Sequence, residues 1–163
     1  MDNPSIFVCE GTTLTKYRGR RKHVIIPQGI KTIANGVFFG RKSVETITLP
    51  DSVSSIGLFA FAGCENLETI VIPGHLKFIG VGMFDGCTNL KSLVFPPTDE
   101  EILGILLCEC RKIEKVEFND GSLVNLDAIR KKGAKVRRAR AKEKKEEELV
   151  LDREFYGKYL KKK

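Results

Sequence analysis

The chain has 163 residues, of which 42% are hydrophobic and 30% charged, and its formal net charge is +7. This length and hydrophobic share suffice for a continuous core, so the fold does not need disulfide bonds. Five cysteines, an odd number, fit a reducing compartment better than a disulfide framework. No apolar run is long enough to be a membrane span.

The first 22 residues are predicted to form a β-hairpin. Two segments rich in β-branched and aromatic residues, 6–9 and 13–17, flank Glu10-Gly11-Thr12. A glycine-containing turn between two such strand-like segments is typical of a hairpin. Residues 1–8 lack the basic start and the long apolar run of a secretory signal, so we expect a cytoplasmic protein, or a surface or secreted one if the chain is trimmed. A basic cluster follows the hairpin in what is more often a solvated turn than a site: Arg18, Arg20, Arg21 and Lys22.

A repeat of 23 residues, marked by Pro27, Pro50, Pro73 and Pro96, dominates the sequence. Five positions stay apolar in all four registers, counted from the proline: six (Ile33, Ile56, Ile79, Ile102), eleven (Phe38, Phe61, Phe84, Leu107), seventeen (Val44, Leu67, Leu90, Ile113), twenty (Ile47, Ile70, Leu93, Val116) and twenty-two (Leu49, Ile72, Phe95, Phe118). Position fourteen holds Cys64, Cys87 and Cys110 but Arg41 in the first register. Such a recurring thiol is typical of a buried repeat position.

The end of each repeat alternates between apolar and polar residues, which predicts a strand that the proline terminates. Phe61 and Cys64, three residues apart in the middle of a repeat, favour a short helical or 3₁₀ return. A unit this small cannot bury its own apolar positions, so its strands must stack at about 4.8 Å into a parallel sheet. The sequence therefore predicts an α/β repeat solenoid.

The segments 47–56 and 60–70 resemble the BspA-type leucine-rich repeat, whose consensus is close to I-P-x-x-V-x-x-I-x-x-x-A-F-x-x-C-x-x-L-x-x-I. The resemblance covers residues 24 to about 118 and implies a leucine-rich-repeat-like right-handed coil with its parallel sheet on one face. Members of the family are best known as surface or secreted adhesion and binding proteins, so it also implies ligand binding through the sheet. In the fourth repeat Asp99 stands where Ile30, Val53 and Leu76 stand in the others, and we expect the array to finish there.

We divide the chain into an N-terminal hairpin cap (1–22), four 23-residue leucine-rich repeats (23–118), a C-terminal capping helix (119–133) and a charged, helical tail (134–163). Ser122 is the expected N-cap of the capping helix, with Leu123, Leu126 and Ile129 on one face and an end at Gly133. In the tail, apolar residues at four-residue spacing predict an amphipathic helix that docks on the solenoid, dimerises or binds a partner: Leu151, Phe155 and Tyr159, with Tyr156 and Leu160 beside them.

The excess of positive charge lies entirely in the C-terminal segment. Residues 1–129 carry 13 Lys and Arg against 15 Asp and Glu, whereas residues 130–163 carry 15 against 6. One interpretation is a solvated, partly helical linker. The alternative is binding of a polyanion, either nucleic acid or an acidic membrane surface, although no aromatic residue for base stacking lies between 130 and 148. The candidate residues are Arg130, Lys131, Lys132, Lys135, Arg137, Arg138 and Arg140.

Strand alternation predicts the main candidate site, which is the open face of the sheet. If the apolar positions point inward, the residues between them point outward and form ladders across the strands: His23, Ile25, Thr46, Thr48, Thr69, Val71, Ser92, Val94, Lys115 and Glu117. A small, neutral, threonine-rich face with an apolar strip suits a protein or peptide partner. The other interpretation is a solvated face, or one covered by the C-terminal helix.

No catalytic or cofactor site is predicted. His23 and His75 lie in different repeats without an evident carboxylate or nucleophile beside them. Cys108 and Cys110 form only C-x-C, with no second cysteine pair or nearby histidine to complete four metal ligands. The sequence therefore favours a non-enzymatic interaction module without a metal or cofactor, and it names neither the partner nor the oligomeric state.

Overall fold

A computed structural model describes the backbone of residues 6–72 and 74–160 and the side chains of residues 6–72 and 74–145. In chain order its elements are β1 (Phe7–Glu10), β2 (Thr13–Tyr17), β3 (His23–Ile25), β4 (Thr32–Ile33), β5 (Thr46–Thr48), β6 (Ser55–Ile56), β7 (Thr69–Val71), β8 (Phe78–Ile79), β9 (Ser92–Phe95), α1 (Glu100–Leu106), β10 (Lys115–Phe118) and α2 (Leu126–Leu160). β1 and β2 form the predicted antiparallel hairpin. The repeats coil into the predicted solenoid.

The predicted parallel sheet is present, with the strand order β10-β9-β7-β5-β3, so successive coils lie side by side. The register is the repeat length: His23 pairs with Thr46, and Thr69 pairs with Ser92. β9 ends directly before Pro96 and β5 ends two residues before Pro50, as expected from the missing N–H of proline. In the coil that contains β10, Asn119 stands at the proline position, and its side-chain amide donates to the Gly74 carbonyl at 3.1 Å.

A second sheet, with the order β1-β2-β4-β6-β8, was not predicted from the sequence. β4, β6 and β8 have two residues each, which is too short for alternation to reveal a strand. The predicted short helical or 3₁₀ return takes the form of successive turns in the first three repeats, without a continuous helix. For example, the Ala62 N–H donates to the Phe59 carbonyl and the Cys64 N–H to the Phe61 carbonyl, at 3.1 and 3.2 Å.

A column of aromatic rings runs through the core from the hairpin to the third repeat. Ring centroids lie 5.4 Å apart between Phe7 and Tyr17, 4.8 Å between Tyr17 and Phe38, 5.6 Å between Phe38 and Phe61, and 6.0 Å between Phe61 and Phe84. The five predicted apolar positions are buried throughout, apart from half-buried Ile79 and the exposed Ile102. The hairpin is thereby tied into the same core as the repeats.

The position that holds cysteine in three repeats is a hydrogen-bond donor position. The thiols of Cys64 and Cys87 each donate to a carbonyl of the preceding coil at 3.1 Å, those of Phe38 and Phe61. Cys110 makes the same contact with Phe84 at 3.8 Å. In the first repeat the Arg41 guanidinium donates to the Tyr17 carbonyl, and it also lies 5.7 Å from the Tyr17 ring centroid. A buried carbonyl needs a donor, which explains why arginine can replace the thiol.

The fourth repeat departs from its neighbours because it contains a true helix, α1. The Asp99 carboxylate accepts the backbone N–H of Glu101 at 2.7 Å and so caps that helix. A cap needs a short polar acceptor, which accounts for aspartate at a position that is apolar elsewhere. The helix also turns Ile102 outward.

The C-terminal helix begins later than predicted. The Asn125 side chain accepts the Ala128 N–H at 3.0 Å and is the N-cap of α2, whereas Ser122 binds Asp120 through its N–H and hydroxyl at 2.8 and 2.6 Å. Leu123 therefore lies outside the helix and is 95% exposed. Ile129 is buried against the last coil, as predicted for the capping face.

The prediction that a helix ends at Gly133 is wrong, because α2 continues through this residue to Leu160. The glycine serves the crossing between α1 and α2. A Cβ at Gly133 would lie 3.2 Å from the Gly104 carbonyl oxygen and 3.3 Å from the Cys108 Cα, and a Cβ at Gly104 would lie 2.5 Å from the Lys132 Cβ. Two glycines thus let the helices pack closely.

Candidate functional site

Two ladders cross the open face of the sheet, and the strand register aligns them as the parity argument predicts. The first contains the opening residue of each strand: His23, Thr46, Thr69, Ser92 and Lys115. The second lies two residues further along each strand: Ile25, Thr48, Val71, Val94 and Glu117. The side chains between these ladders are buried, from Val24 to Val116. All ten candidate residues therefore lie on one face.

The middle of this face is accessible and uncharged. Thr48 is exposed, and Thr46, Thr69, Val71, Ser92 and Val94 are half-buried. Ile25 at one end is 65% exposed. Charge occurs at the last strand, where Lys115 and Glu117 pair at 2.9 Å. Five strands at about 4.8 Å make the face roughly 20 Å wide, which fits a short peptide or one edge of a protein.

A rim of charged side chains precedes the strands. Lys22 pairs with Glu45 at 2.8 Å, and Lys91 pairs with Glu68 at 3.1 Å, in each case across one repeat. The hydrogen bond between Lys22 and Glu45 raises the pKa of the lysine and lowers the pKa of the carboxyl. These exposed pairs contribute little to stability. They place charged side chains along one edge of the face, next to its uncharged centre.

The sheet face extends into a cavity that the sequence did not indicate. The loop after β10 borders a space of about 510 Å³ lined by Val94, Glu117, Leu123 and Val124. Leu123 was predicted to lie on a buried helical face, and the structure instead places it beside the last strand as a nearly fully exposed side chain. The signal that could have revealed this is Asp120-Gly121-Ser122, which closes its own turn before any helix begins.

Four of the seven basic residues proposed to bind polyanions contact the repeats or α1. The Arg130 guanidinium donates to the Ile113 carbonyl at 2.8 Å, Lys132 pairs with Glu101 at 3.2 Å, and Arg140 pairs with Asp85 at 3.1 Å. Arg137 donates to the Cys108 carbonyl. These four side chains hold α2 to the solenoid.

The three remaining basic candidates face carboxylates. Lys131, Lys135 and Arg138 line a cleft of about 890 Å³ that Asp99, Glu100 and Glu101 also line. A run of phosphates along this cleft would meet both signs of charge, whereas a polyanion site needs cations without competing carboxylates. The arrangement does not favour the polyanion alternative.

The cysteines differ sharply in their surroundings. Burial raises the pKa of the Cys64 thiol to about 12, and burial also raises the pKa values of Cys87, Cys108 and Cys110. Cys9 is the exposed cysteine. Within the described side chains, no cluster of three His, Cys, Asp or Glu residues could hold a metal ion.

Thiol labelling of the folded protein at pH 8 should therefore be biphasic. We expect one thiol per chain to react quickly with iodoacetamide and four to react only as the protein unfolds, because the thiolate is the reactive form and burial suppresses it. Cys9→Ser should remove the fast phase alone, as mass spectrometry of labelled peptides would show. Rapid labelling of Cys64 in folded protein would contradict this assignment.

Comparison with known proteins places the chain in a family. The model of the BspA type leucine rich repeat region matches residues 16–130 in six copies, so the chain belongs to that family. No curated protein matches. In the part of the chain that the structure describes, no helix combines the length and apolarity needed to cross a membrane.

Three solved structures are similar. A leucine rich cell surface protein of Faecalibacterium prausnitzii is 24% identical, with a TM-score of 0.49, and the match covers 72% of this chain and 37% of that one. A leucine rich repeat protein of T. pallidum is 22% identical, with a TM-score of 0.41 and coverage of 71% and 80%. One from Eubacterium ventriosum is also 22% identical, with a TM-score of 0.48 and coverage of 65% and 36%. The chain thus spans little more than a third of two of these proteins.

Proposed function

We propose that the chain is a non-enzymatic protein-interaction module that binds a protein or peptide partner on the open face of the β10-β9-β7-β5-β3 sheet. The observation that supports this most is the pair of aligned ladders, whose centre is accessible, uncharged and partly apolar. Interaction modules are common among leucine-rich repeat proteins, and membership in such a family supports the same class of function.

The chemistry of the face indicates what kind of partner it would take. Threonine and serine hydroxyls offer hydrogen bonds at the strand starts, while Val71 and Val94 offer apolar contact two residues further on. Leu123 and the adjacent cavity add exposed apolar surface beside the last strand, where a larger apolar side chain could make contact. A partner with a bulky apolar anchor and neutral polar flanks would match these features, since anchors in pockets dominate binding energy.

Placing lysine at Thr48, Val71 and Val94 together should abolish capture of the partner, because three ammonium groups would replace the uncharged centre. A pull-down from the source cells, followed by mass spectrometry, compares this variant with the parent. The matched control places lysine at Gln28, Ser43 and Thr88, which are exposed and lie outside the ladders. Equal capture by parent and ladder variant would refute the proposed face.

The same pull-down, repeated at two salt concentrations, separates this function from polyanion binding. Replacement of Lys131, Lys135 and Arg138 by glutamine removes positive charge while leaving the residues that hold α2 in place. Binding that falls steeply with salt and disappears in this variant would assign the function to α2 instead of the sheet.

A further inference from the structure

Exposed apolar side chains also occur on the coils outside the open face of the β10-β9-β7-β5-β3 sheet, and we call this group the apolar strip. Its members are Phe39, Leu58, Phe59, Phe78, Val81 and Ile105, which are between 37% and 64% exposed. Leu58, Phe59 and Val81 lie on adjacent coils, since the Phe59 N–H donates to the Val81 carbonyl at 3.1 Å. Large exposed apolar patches mark interaction sites in soluble proteins.

Phe59 at the centre of this apolar strip is held in a strained backbone conformation. Its φ is +53°, in the left-handed region, and the equivalent residues one repeat earlier and later are Gly36 and Gly82, with φ of +62° and +68°. Gly82 also makes room for the Phe59 ring, because a Cβ there would overlap the ring. Strain at an exposed residue that glycine would relieve is characteristic of functional positions.

The chain itself contains a segment suited to cover the apolar strip. Residues 149–160 belong to α2, and their sequence places Leu151, Phe155 and Tyr159 at four-residue spacing. A helix with one apolar face is the form in which peptides bind apolar grooves. Aromatic side chains supply much of the contact energy in such interfaces.

This segment cannot cover the apolar strip of its own chain while α2 is continuous. The last described contact of α2 with the repeats is Arg140 with Asp85, and residues 141–145 are all exposed. At about 1.5 Å per residue, Leu151 to Tyr159 lie roughly 16 to 28 Å beyond Arg140 along the helix. The coil that carries Phe39 is only two coil spacings, or about 10 Å, from the coil of Asp85. Because α2 contacts the last coil at Arg130 and the third repeat at Arg140, it runs back along the array, and the segment extends past the end of the apolar strip.

We infer that the protein forms a homodimer in which the 149–160 segment of each copy docks on the apolar strip of the other. A reciprocal exchange forms two equivalent contacts, each of which buries one apolar strip and one 149–160 segment, and it gives a closed dimer with twofold symmetry. Phe59 and Val81 lie at the centre of each contact, and the continuous helix supplies the reach that the exchange requires.

Sedimentation velocity of the full chain across the micromolar range tests this inference. We expect concentration-dependent dimers for the parent, and monomers for a chain that stops after Glu148. Val81→Lys and Phe155→Glu should each raise the dimer dissociation constant about thirtyfold or more, as expected for hot-spot residues. Thr88→Lys, an exposed control in the same repeat, should dimerise like the parent.

Phe59→Asn adds a readout that a merely structural role would not move. Asparagine tolerates the left-handed region better than phenylalanine. At a protein concentration where the parent is monomeric, the midpoint of thermal unfolding should therefore change little, while dimerisation at higher concentration is lost. A monomeric parent at every concentration would overturn the inference. Dimers that survive loss of residues 149–163 but not Val81→Lys would also overturn it, because the two strips would then pair directly.

Discussion

Gly80→Ala is expected to lower the free energy of unfolding by about 3 kcal/mol, at the upper end of what overpacking costs. A Cβ at Gly80 would overlap the carbonyl group of Gly57 in the preceding coil. Both glycines occupy the position seven past the proline, where the Gly80 N–H donates to the Ile56 carbonyl at 2.8 Å. Backbone cannot move aside as a flexible side chain can, so the coils must separate locally.

Thermal and urea unfolding of the purified variant measure this effect, which for a chain of this size corresponds to about 10 °C in Tm. Gly29→Ala is the matched control, since Gly29 has a φ of +87° and open space around it. That change should cost only about 1 kcal/mol, from the left-handed backbone alone. Equal losses in the two variants would show that coil spacing does not limit the residue at position seven.

Ile129→Asp should release α2 from the repeats. Ile129 is 1% exposed and lies with Leu107, Cys110 and Ile113 at the end of the array. Loss of its side chain and burial of a carboxylate together should cost about 4 kcal/mol or more in the docked state. Limited trypsin digestion provides the measurement, because the undocked segment between Arg130 and Arg140 would become cleavable.

Ala139→Asp controls for the introduced charge, since Ala139 lies in the same helix and is exposed. We expect it to resist trypsin like the parent, with a helix-propensity cost of about 0.5 kcal/mol. If Ile129→Asp were cleaved no faster than this control, the four basic contacts of α2 would be sufficient to hold it without the apolar anchor.

Periodicity of the sequence was enough to predict the main sheet and the residues on its face. Proline at a fixed interval terminates each strand, and alternation then decides which side chains point outward, so Thr48 and Val71 could be placed without coordinates. The strands β4, β6 and β8 could not be predicted in this way, because two residues are too few to show an alternation.

Glycine was the residue whose meaning the sequence could not settle. Gly133 is of the residue type that commonly ends a helix, yet in the structure it lies inside α2 and allows α1 and α2 to cross closely. Whether glycine ends a helix or permits contact depends on what lies opposite, which is a long-range property. The role of the cysteine position also depends on long-range contacts. Arg41 has the same role as Cys64 and Cys87, donation to a carbonyl of the preceding coil, and only the structure shows where those carbonyls lie.

The aromatic column has a consequence for how the array holds together. Neighbouring rings contact one another in turn from Phe7 to Phe84, with tilted planes within the hairpin and at Phe38 and stacked planes from Phe38 onward. Stability in such an array is a sum of unit energies and nearest-neighbour couplings, as in a one-dimensional chain of linked elements. The hairpin, through Phe7 and Tyr17, is therefore the first coupled unit of the array. A gap in the aromatic column at Phe61 would uncouple the coils on its two sides, so that each side would unfold cooperatively by itself but not together with the other.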